Sequence, residues 1–132
     1  LDYGDMDTRQ PSELSSMMDG IWQNYDEAPV THLSSDIERR IIHTNNLMLV
    51  VVDFYDGPTE APDPFHHHVH EQVSFIAEGE ILLFEGDKES VPLKKGDMFA
   101  MPSDVPHTIQ RLTKHVRIVD SFTPIRAEFL TK

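Results

Sequence analysis

Four of the five positions from His66 to His70 are histidines. Residues two apart on an extended strand project to the same side, so His66 and His68 can direct two imidazoles at one point. Imidazole is a good ligand for Zn, Fe, Ni and Cu, and His107 is a candidate third ligand from a later segment. We expect His67 and His70 to be exposed or supporting residues. The pattern predicts a metal site, and the alternative is an exposed, pH-sensitive loop without metal.

A carboxylate at an inward-facing position is the second feature with chemical potential. In the predicted strand His115–Phe122, every second residue projects to the same face. One face carries two β-branched apolar residues, Val116 and Ile118, followed by Asp120 and Phe122. A buried carboxylate is costly unless it is paired, hydrogen-bonded or near a metal, and burial can tune it for acid–base catalysis. Arg126 could bind a substrate carboxylate with its planar fork, or pair with Asp120 and merely fix the C-terminal segment. Phe122 is expected to form a wall of the site.

Short strands separated by turn-forming residues must position these side chains. The predicted strands are Arg39–His43, Leu47–Phe54, Glu71–Ala77, Glu80–Phe84, Ser90–Leu93, Met98–Met101, His107–Leu112 and His115–Phe122. Eight short strands at this spacing predict a small all-β barrel or sandwich. Leu47–Val52 is apolar on both faces, so we expect a partner subunit or the N-terminal arm to cover its second face. Met98 and Met101 are expected to fill the barrel.

The charge distribution predicts two segments, an acidic arm at residues 1–38 and a β-barrel at residues 39–132. The 132 residues suit one domain, and the formal charge is −12. The arm carries nine acids and one base, a net charge of −8, which leaves −4 for the barrel. Pro11–Met18 is a candidate short helix that ends before Gly20. The rest of the arm is expected to be a frayed terminus, a cover for the core or a strand that crosses a dimer.

Composition also excludes several classes of partner and of chemistry. The excess of acids argues against binding to nucleic acid or to an anionic membrane, because both repel negative charge. The absence of cysteine excludes disulfides and a thiol nucleophile. The longest apolar run, Leu47–Val52, is far shorter than the roughly 20 residues that span a bilayer. We expect a cytoplasmic protein.

The spacing of two residue groups resembles the two motifs of the cupin family. The groups are His66, His68, Gln72 and Gly79, and then Gly96, Pro102 and His107. Asp104 stands where the second motif usually has glycine, and Gln72 stands where the first usually has glutamate. The resemblance covers roughly residues 37–130 and implies a single-domain cupin, a double-stranded β-helix or jelly-roll barrel.

The residues around these motifs narrow the resemblance to KdgF-like cupins. In that subgroup glutamine replaces the motif glutamate, and the chain ends on an Asp-x-Phe-x-x-x-Arg pattern, here Asp120 to Arg126. These cupins convert 4,5-unsaturated monouronates from pectin or alginate breakdown to linear keto-deoxyuronates. The resemblance implies that one divalent transition metal, Zn, Ni, Mn or Fe, binds at His66, His68, Gln72 and His107. It assigns Asp120, Phe122 and Arg126 to a small anionic sugar substrate, with Asp120 and Arg126 catalytic, and implies a homodimer.

Two other classes of function remain open at this point. A different metal-dependent cupin enzyme, such as a dioxygenase, isomerase or lyase, would share the three histidines. A sugar- or small-acid-binding cupin without catalysis would not need the inward-facing Asp120. The neutral amide of Gln72 leaves the metal more Lewis acidic and with less of the negative charge that supports high-valent iron, which disfavours a dioxygenase.

Overall fold

The structure, a computed structural model, describes residues 18–130. Within these residues nine strands form two antiparallel sheets and are followed by a 3-10 helix at Ala127–Leu130. The strands are β1 (Thr31–Ser34), β2 (Ile37–His43), β3 (Met48–Phe54), β4 (Glu71–Glu78), β5 (Glu80–Glu85), β6 (Val91–Lys94), β7 (Met98–Met101), β8 (His107–Arg111) and β9 (Val116–Thr123). One sheet has the order β1-β2-β3-β9-β4-β7 and the other the order β6-β5-β8. The all-β fold class predicted from the sequence is confirmed.

Each of the eight predicted strands coincides with an observed strand, and no end differs by more than two residues. Strand β1 was not predicted, because its four residues carry one apolar side chain, Leu33, and give no alternation to detect. It joins the sheet by pairing with β2, where Thr31 lies opposite Arg39. Strand β1 therefore lies on the arm side of the division at residue 38, and that division itself stays a prediction.

The predicted helix Pro11–Met18 falls on residues 11–17, which lie outside the described residues, and on Met18, which is not helical. From residue 18 to residue 130, no helix has the length and apolar character needed to cross a membrane.

Strand β9 occupies the centre of the larger sheet, where it pairs with β3 on one side and β4 on the other. Its inward residues pack into the core, with Val116 fully buried and Ile118 and Phe122 almost so. Asp120 belongs to the same alternating set and lies opposite Val50 of β3 and Ser74 of β4. The central strand therefore carries the carboxylate into the barrel, as its alternation predicts.

The turn between β4 and β5 depends on a motif glycine. Gly79 has a φ of 83°, a left-handed conformation that side chains disfavour. A Cβ at this position would also lie 2.2 Å from the backbone oxygen of His115. Glycine is therefore required here both by the backbone conformation and by the close approach of the chain before β9.

The outer face of β3 is only partly covered by the described chain. Met48, Val50 and Val52 point into the core, whereas Leu47 and Leu49 on the other side are 54% and 38% exposed. The predicted cover of this second face, by a partner subunit or by the N-terminal arm, stays a prediction.

More apolar side chains remain exposed farther along the outer face of the same sheet. Phe75 and Met98 lie opposite each other on β4 and β7 and are 42% and 71% exposed. The expectation that Met98 fills the barrel is wrong, because alternation along β7 turns it outward, while Met101 is buried as expected. The homodimer predicted from the sequence stays a prediction. Sedimentation equilibrium would test it, since a dimer has twice the 15.1 kDa of one chain.

A buried carboxylate attaches the start of the described chain to the barrel. Asp53 of β3 is fully buried and accepts hydrogen bonds from the Tyr25 hydroxyl at 2.5 Å and from Arg117 Nε at 2.7 Å. His115 Nε2 lies 2.7 Å from the same carboxylate. The guanidinium carbons of Arg40 and Arg117 lie 3.8 and 4.5 Å from the centre of the Tyr25 ring. These contacts hold Tyr25 on the sheet, while Trp22, three residues earlier, is 84% exposed.

Candidate active site

Three histidines converge at one end of the barrel. The loop before β4 meets the start of β8 through two backbone hydrogen bonds, His66 N to His107 O at 3.1 Å and His107 N to His66 O at 2.9 Å. One imidazole nitrogen from each of His66, His68 and His107 can be chosen so that all three lie within 4.8 Å of one another. The structure thus brings together the three histidines that the sequence singled out, and they could hold a metal ion.

Backbone carbonyls set the tautomer of two of these rings. Nδ1 of His68 lies 2.8 Å from the backbone oxygen of His70, and Nδ1 of His107 lies 2.8 Å from that of Val105. Because a carbonyl oxygen only accepts, each Nδ1 carries the hydrogen and each Nε2 keeps a free lone pair. Both Nε2 atoms are buried and have no hydrogen-bond partner among the described residues. Nitrogen atoms in this state fit a divalent metal.

Burial favours the neutral form of two of the three imidazoles, His66 and His68. Burial, followed by the neighbouring His107 and His68, lowers the pKa of His66 to about 4. Burial likewise lowers the pKa of His68, although its hydrogen bond to the His70 carbonyl opposes the shift. Neutral imidazole is the form that ligates metals, so these two rings do not have to lose a proton near pH 7.

The amide oxygen of Gln72 is left without a hydrogen-bond partner among the described residues. Its Nε2 donates to Ser74 Oγ at 2.9 Å and to Asp120 Oδ1 at 3.2 Å. A carboxylate accepts but does not donate, so the amide nitrogen faces Asp120 and the oxygen faces away from it. Gln72 Oε1 is buried and lacks a partner within the described chain. Its chemistry suits the oxygen ligand of a divalent metal.

Asp120 lines a cavity that His66, Gln72 and His107 also line, and hydrogen bonds hold one of its carboxylate oxygens. Oδ1 accepts from Ser74 Oγ at 2.5 Å as well as from Gln72. Burial raises the pKa of Asp120 to about 6, although both hydrogen bonds and the charge of Arg126 oppose the rise. Because both hydrogen bonds use Oδ1, Oδ2 is the oxygen left for a ligand. The structure shows no Asp120–Arg126 ion pair, the structural alternative considered from the sequence.

Arg126 reaches the cavity but already has a carboxylate partner. Its Nε and Nη2 lie 3.1 and 3.0 Å from Oε2 of Glu128 in the 3-10 helix. Its guanidinium carbon lies 5.0 Å from the ring centre of Phe122, which is 3% exposed and forms a wall of the cavity. The predicted substrate-side residues Asp120, Phe122 and Arg126 therefore line one cavity together with the metal candidates His66, Gln72 and His107.

This cavity has a volume of about 270 Å³, room for one small molecule. Its walls include apolar side chains from both sheets, for example Val52, Ile109 and Ile118.

Two residues of the site are not assigned from the sequence. Ser74 orients both Gln72 and Asp120, and the signal that could have found it is its place two residues after Gln72 on the same strand face. Arg39 lines the cavity from β2 and is 6% exposed. Arg39 directly follows Glu38, the last residue of the predicted acidic arm. The inward orientation of Arg39 becomes clear only from the pairing of β2 with β3.

The remaining histidines of the cluster lie outside the group of three. The His67 side chain is 66% exposed and lies 3.6 Å from Asp104. Asp104 has a φ of 61°, so it adopts the left-handed conformation of the glycine usually found at this motif position. The ring centre of His70 lies 5.6 Å from that of His68, and its backbone oxygen orients His68, which agrees with the expected supporting role.

Comparison with known proteins agrees with this architecture. The family model for the cupin domain, Cupin_2, matches residues 50–122, more than half of the chain. The chain belongs to the cupin family. This cupin is 34% identical over 107 residues to the pectin degradation protein KdgF of Dickeya dadantii (strain 3937), an alignment that covers 80% of this chain and 94% of that protein.

Solved structures and a second type of enzyme are also similar to this cupin. KdgF from Halomonas sp. superimposes with a TM-score of 0.71 at 29% identity, over 80% of this chain and 96% of the other. An RmlC-like cupin from Shewanella frigidimarina NCIMB 400 gives a TM-score of 0.73 at 27% identity, over 84% and 96% of the two chains. The 3-hydroxyanthranilate 3,4-dioxygenase of Mus musculus is 29% identical over 61% of this chain, which spans only 28% of that enzyme. The relatives of this cupin thus include enzymes.

Proposed function

We propose that this cupin converts 4,5-unsaturated monouronates to linear keto-deoxyuronates. The observation that carries the proposal is that Asp120 and the candidate ligand Gln72 share a hydrogen bond in one small cavity. The similarity to two KdgF proteins, one described as a pectin degradation protein, supports a uronate as the substrate.

The reaction is an isomerisation whose atoms balance without a co-reactant. The substrate ring holds a C4=C5 double bond beside the carboxylate and a hemiacetal at C1. The C1 hydroxyl loses its proton, the bond between C1 and the ring oxygen breaks, and the ring oxygen gains a proton, which leaves an aldehyde at C1 and an enol at C5. The enol becomes a ketone when C4 gains a proton and the enol oxygen loses one.

His66, His68, His107 and Gln72 would hold the divalent metal. When bound there, the metal supplies a Lewis acid for carboxylate and hydroxyl oxygens. Asp120 Oδ2 moves a proton between the substrate hydroxyl and C4 as a general acid–base. Hydrogen bonds from Gln72 and Ser74 keep Oδ1 fixed while it does so. Phe122 forms a wall beside the sugar ring, and Arg126 supplies positive charge for the carboxylate.

The direct test is to incubate zinc-, nickel-, manganese- or iron-loaded protein with unsaturated galacturonate or its alginate-derived counterpart. Loss of the absorbance of the conjugated double bond should be faster than in buffer alone and slower after chelation of the metal. A metal-loaded protein that gives no acceleration with any of these substrates would contradict the proposal.

A dioxygenase is the second candidate function, because the chain shares 29% identity over 83 residues with 3-hydroxyanthranilate 3,4-dioxygenase. Oxygen consumption by the Fe(II)-loaded protein with 3-hydroxyanthranilate would favour it. Binding of galacturonate without turnover of any substrate would instead favour a sugar-binding cupin.

A further inference from the structure

A second arginine in the cavity lacks a carboxylate partner. Arg39 projects inward from β2 and is 6% exposed. Its one hydrogen bond within the described chain is a long one, from Nη2 to the backbone oxygen of Phe129 at 3.4 Å. Arg39 Nε is buried and has no partner there. Among the described residues no carboxylate lies within ion-pair distance of this guanidinium.

The contrast with Arg126 shows which cation is available to a ligand. Both guanidinium carbons lie 4.2 Å from the ring centre of Phe129, so they are no farther apart than twice that distance. Two nitrogens of Arg126 contact the carboxylate of Glu128. Among the described residues, no acidic side chain accepts a hydrogen bond from Arg39. Burial first, and then the charge of Arg126, lowers the pKa of Arg39, although the charge of Glu128 opposes the shift. Arg39 is therefore the cation of the cavity whose guanidinium nitrogens are left for a ligand.

A buried charge without a counterion is expensive. Removing an ion from water costs more than the cation–π contact with Phe129 returns. A ligand that places a carboxylate against this buried guanidinium therefore gains more binding free energy than a neutral ligand does. The guanidinium plane can bind a carboxylate through two parallel hydrogen bonds.

We propose that Arg39 is the residue that binds the carboxylate of the ligand, and that Arg126, held by Glu128, adds charge beside it. The inference rests on the proposed function for the identity of that ligand, a uronate. It predicts that the cavity takes small carboxylic acids whose other oxygens reach the imidazole cluster. Neutral sugars of the same shape bind more weakly.

The test compares D-galacturonate with its methyl ester, which has the same sugar ring but no negative charge. Calorimetric titration of the zinc-loaded protein should show tighter binding of the acid. Arg39→Gln should weaken binding of the acid by about 10- to 100-fold and leave binding of the ester unchanged, because only the acid offers a charged acceptor. Arg39→Lys keeps the charge but loses the planar guanidinium. It should bind the acid less tightly than the wild type does and more tightly than Arg39→Gln does.

Arg40→Gln is the matched control, because it removes the same charge at the next position of β2, on the opposite face of the sheet. It should bind both ligands as the wild type does. Equal loss of acid and ester in Arg39→Gln would assign Arg39 to packing against Phe129 and overturn the proposal. Failure of both Arg39 variants to fold, or the absence of an acid preference in the wild type, would overturn it as well. An acid preference that depends on Arg39, without turnover of unsaturated uronates, would contradict the proposed function alone.

Discussion

The amide nitrogen of Gln72 donates to Oδ1 of Asp120 at 3.2 Å, and this contact joins the candidate metal ligands to the candidate acid–base group. A glutamate at position 72 could not donate this hydrogen bond while ionised. Two carboxylates would then face each other, and they would repel or share one proton. The replacement of the usual cupin glutamate by glutamine thus allows Asp120 to lie beside a candidate metal ligand.

Gln72→Glu is therefore expected to lower kcat by about 10- to 100-fold, because it disturbs the group that transfers the proton. The added negative charge should hold a divalent metal at least as tightly as the wild type does. Steady-state rates with unsaturated galacturonate and calorimetric zinc titration measure the two effects. Gln23→Glu, an exposed substitution outside the cavity, is the control. A Gln72→Glu protein with the wild-type rate would show that the amide donor is not needed.

Asp120→Asn should reduce kcat by about 100- to 10,000-fold, the usual contribution of general acid–base catalysis. Metal content, measured by mass spectrometry of the metal, should stay at the wild-type level, because the four proposed donors are unchanged. Asp87→Asn removes an exposed carboxylate from the turn after β5 and should have no effect on either quantity. Loss of metal together with rate in Asp120→Asn would indicate that Asp120 supports the metal site rather than the proton transfer.

Substitution of His107 tests the metal site directly. His107→Ala should lower zinc affinity by about 100-fold or more, because even outer hydrogen-bond partners of metal ligands contribute 10- to 100-fold. Zinc in excess should also raise the Tm of the wild type, since a ligand that binds only the folded state stabilises it. His67→Ala changes an exposed histidine from the same sequence cluster and should leave both measurements unaltered. Equal zinc affinity in the two variants would argue against the three-histidine site.

Asp53 makes stability depend on pH in a defined direction. Burial alone raises the pKa of Asp53, but hydrogen bonds from Arg117, Tyr25 and His115 outweigh it and leave the pKa below its usual value. The folded state thus binds this proton more weakly than the unfolded chain does. The stability gained is complete above the unfolded pKa of about 4 and is lost as the pH falls through the lower folded pKa.

Asp53→Asn should therefore lower the free energy of unfolding at pH 7 by about 3 kcal/mol, because it leaves buried or half-buried cations without their partner. The difference from the wild type should shrink as the pH drops below 4. Urea unfolding at pH 7, 5 and 3 measures it, with the exposed Asp26→Asn as the control. A deficit that stays constant down to pH 3 would mean that packing, rather than charge, is responsible.

The sequence predicts the strands of the barrel well because alternation and turn residues are local properties. The same alternation places Asp120 inside, and the two motifs select three histidines that the structure brings together. Strand β1 could not be predicted, since its place in the sheet depends on pairing with β2 and not on its own pattern. Met98 follows the alternation of β7 outward, although its type suggests a core residue. The burial of Arg39 against Phe129 depends on the folding of the C-terminal segment against β2, which no local pattern reveals.

The attachment of Tyr25 to Asp53 gives this protein a built-in optical probe. Trp22 is the single tryptophan of the chain, and it lies three residues before that attachment and away from the cavity. Because Trp22 is 84% exposed while Tyr25 is held on the sheet, iodide should already quench it almost as a free indole, and there is no second indole to interfere. A rearrangement that buries this segment can therefore be followed by a loss of quenching in the unlabelled protein, separately from events at the histidines.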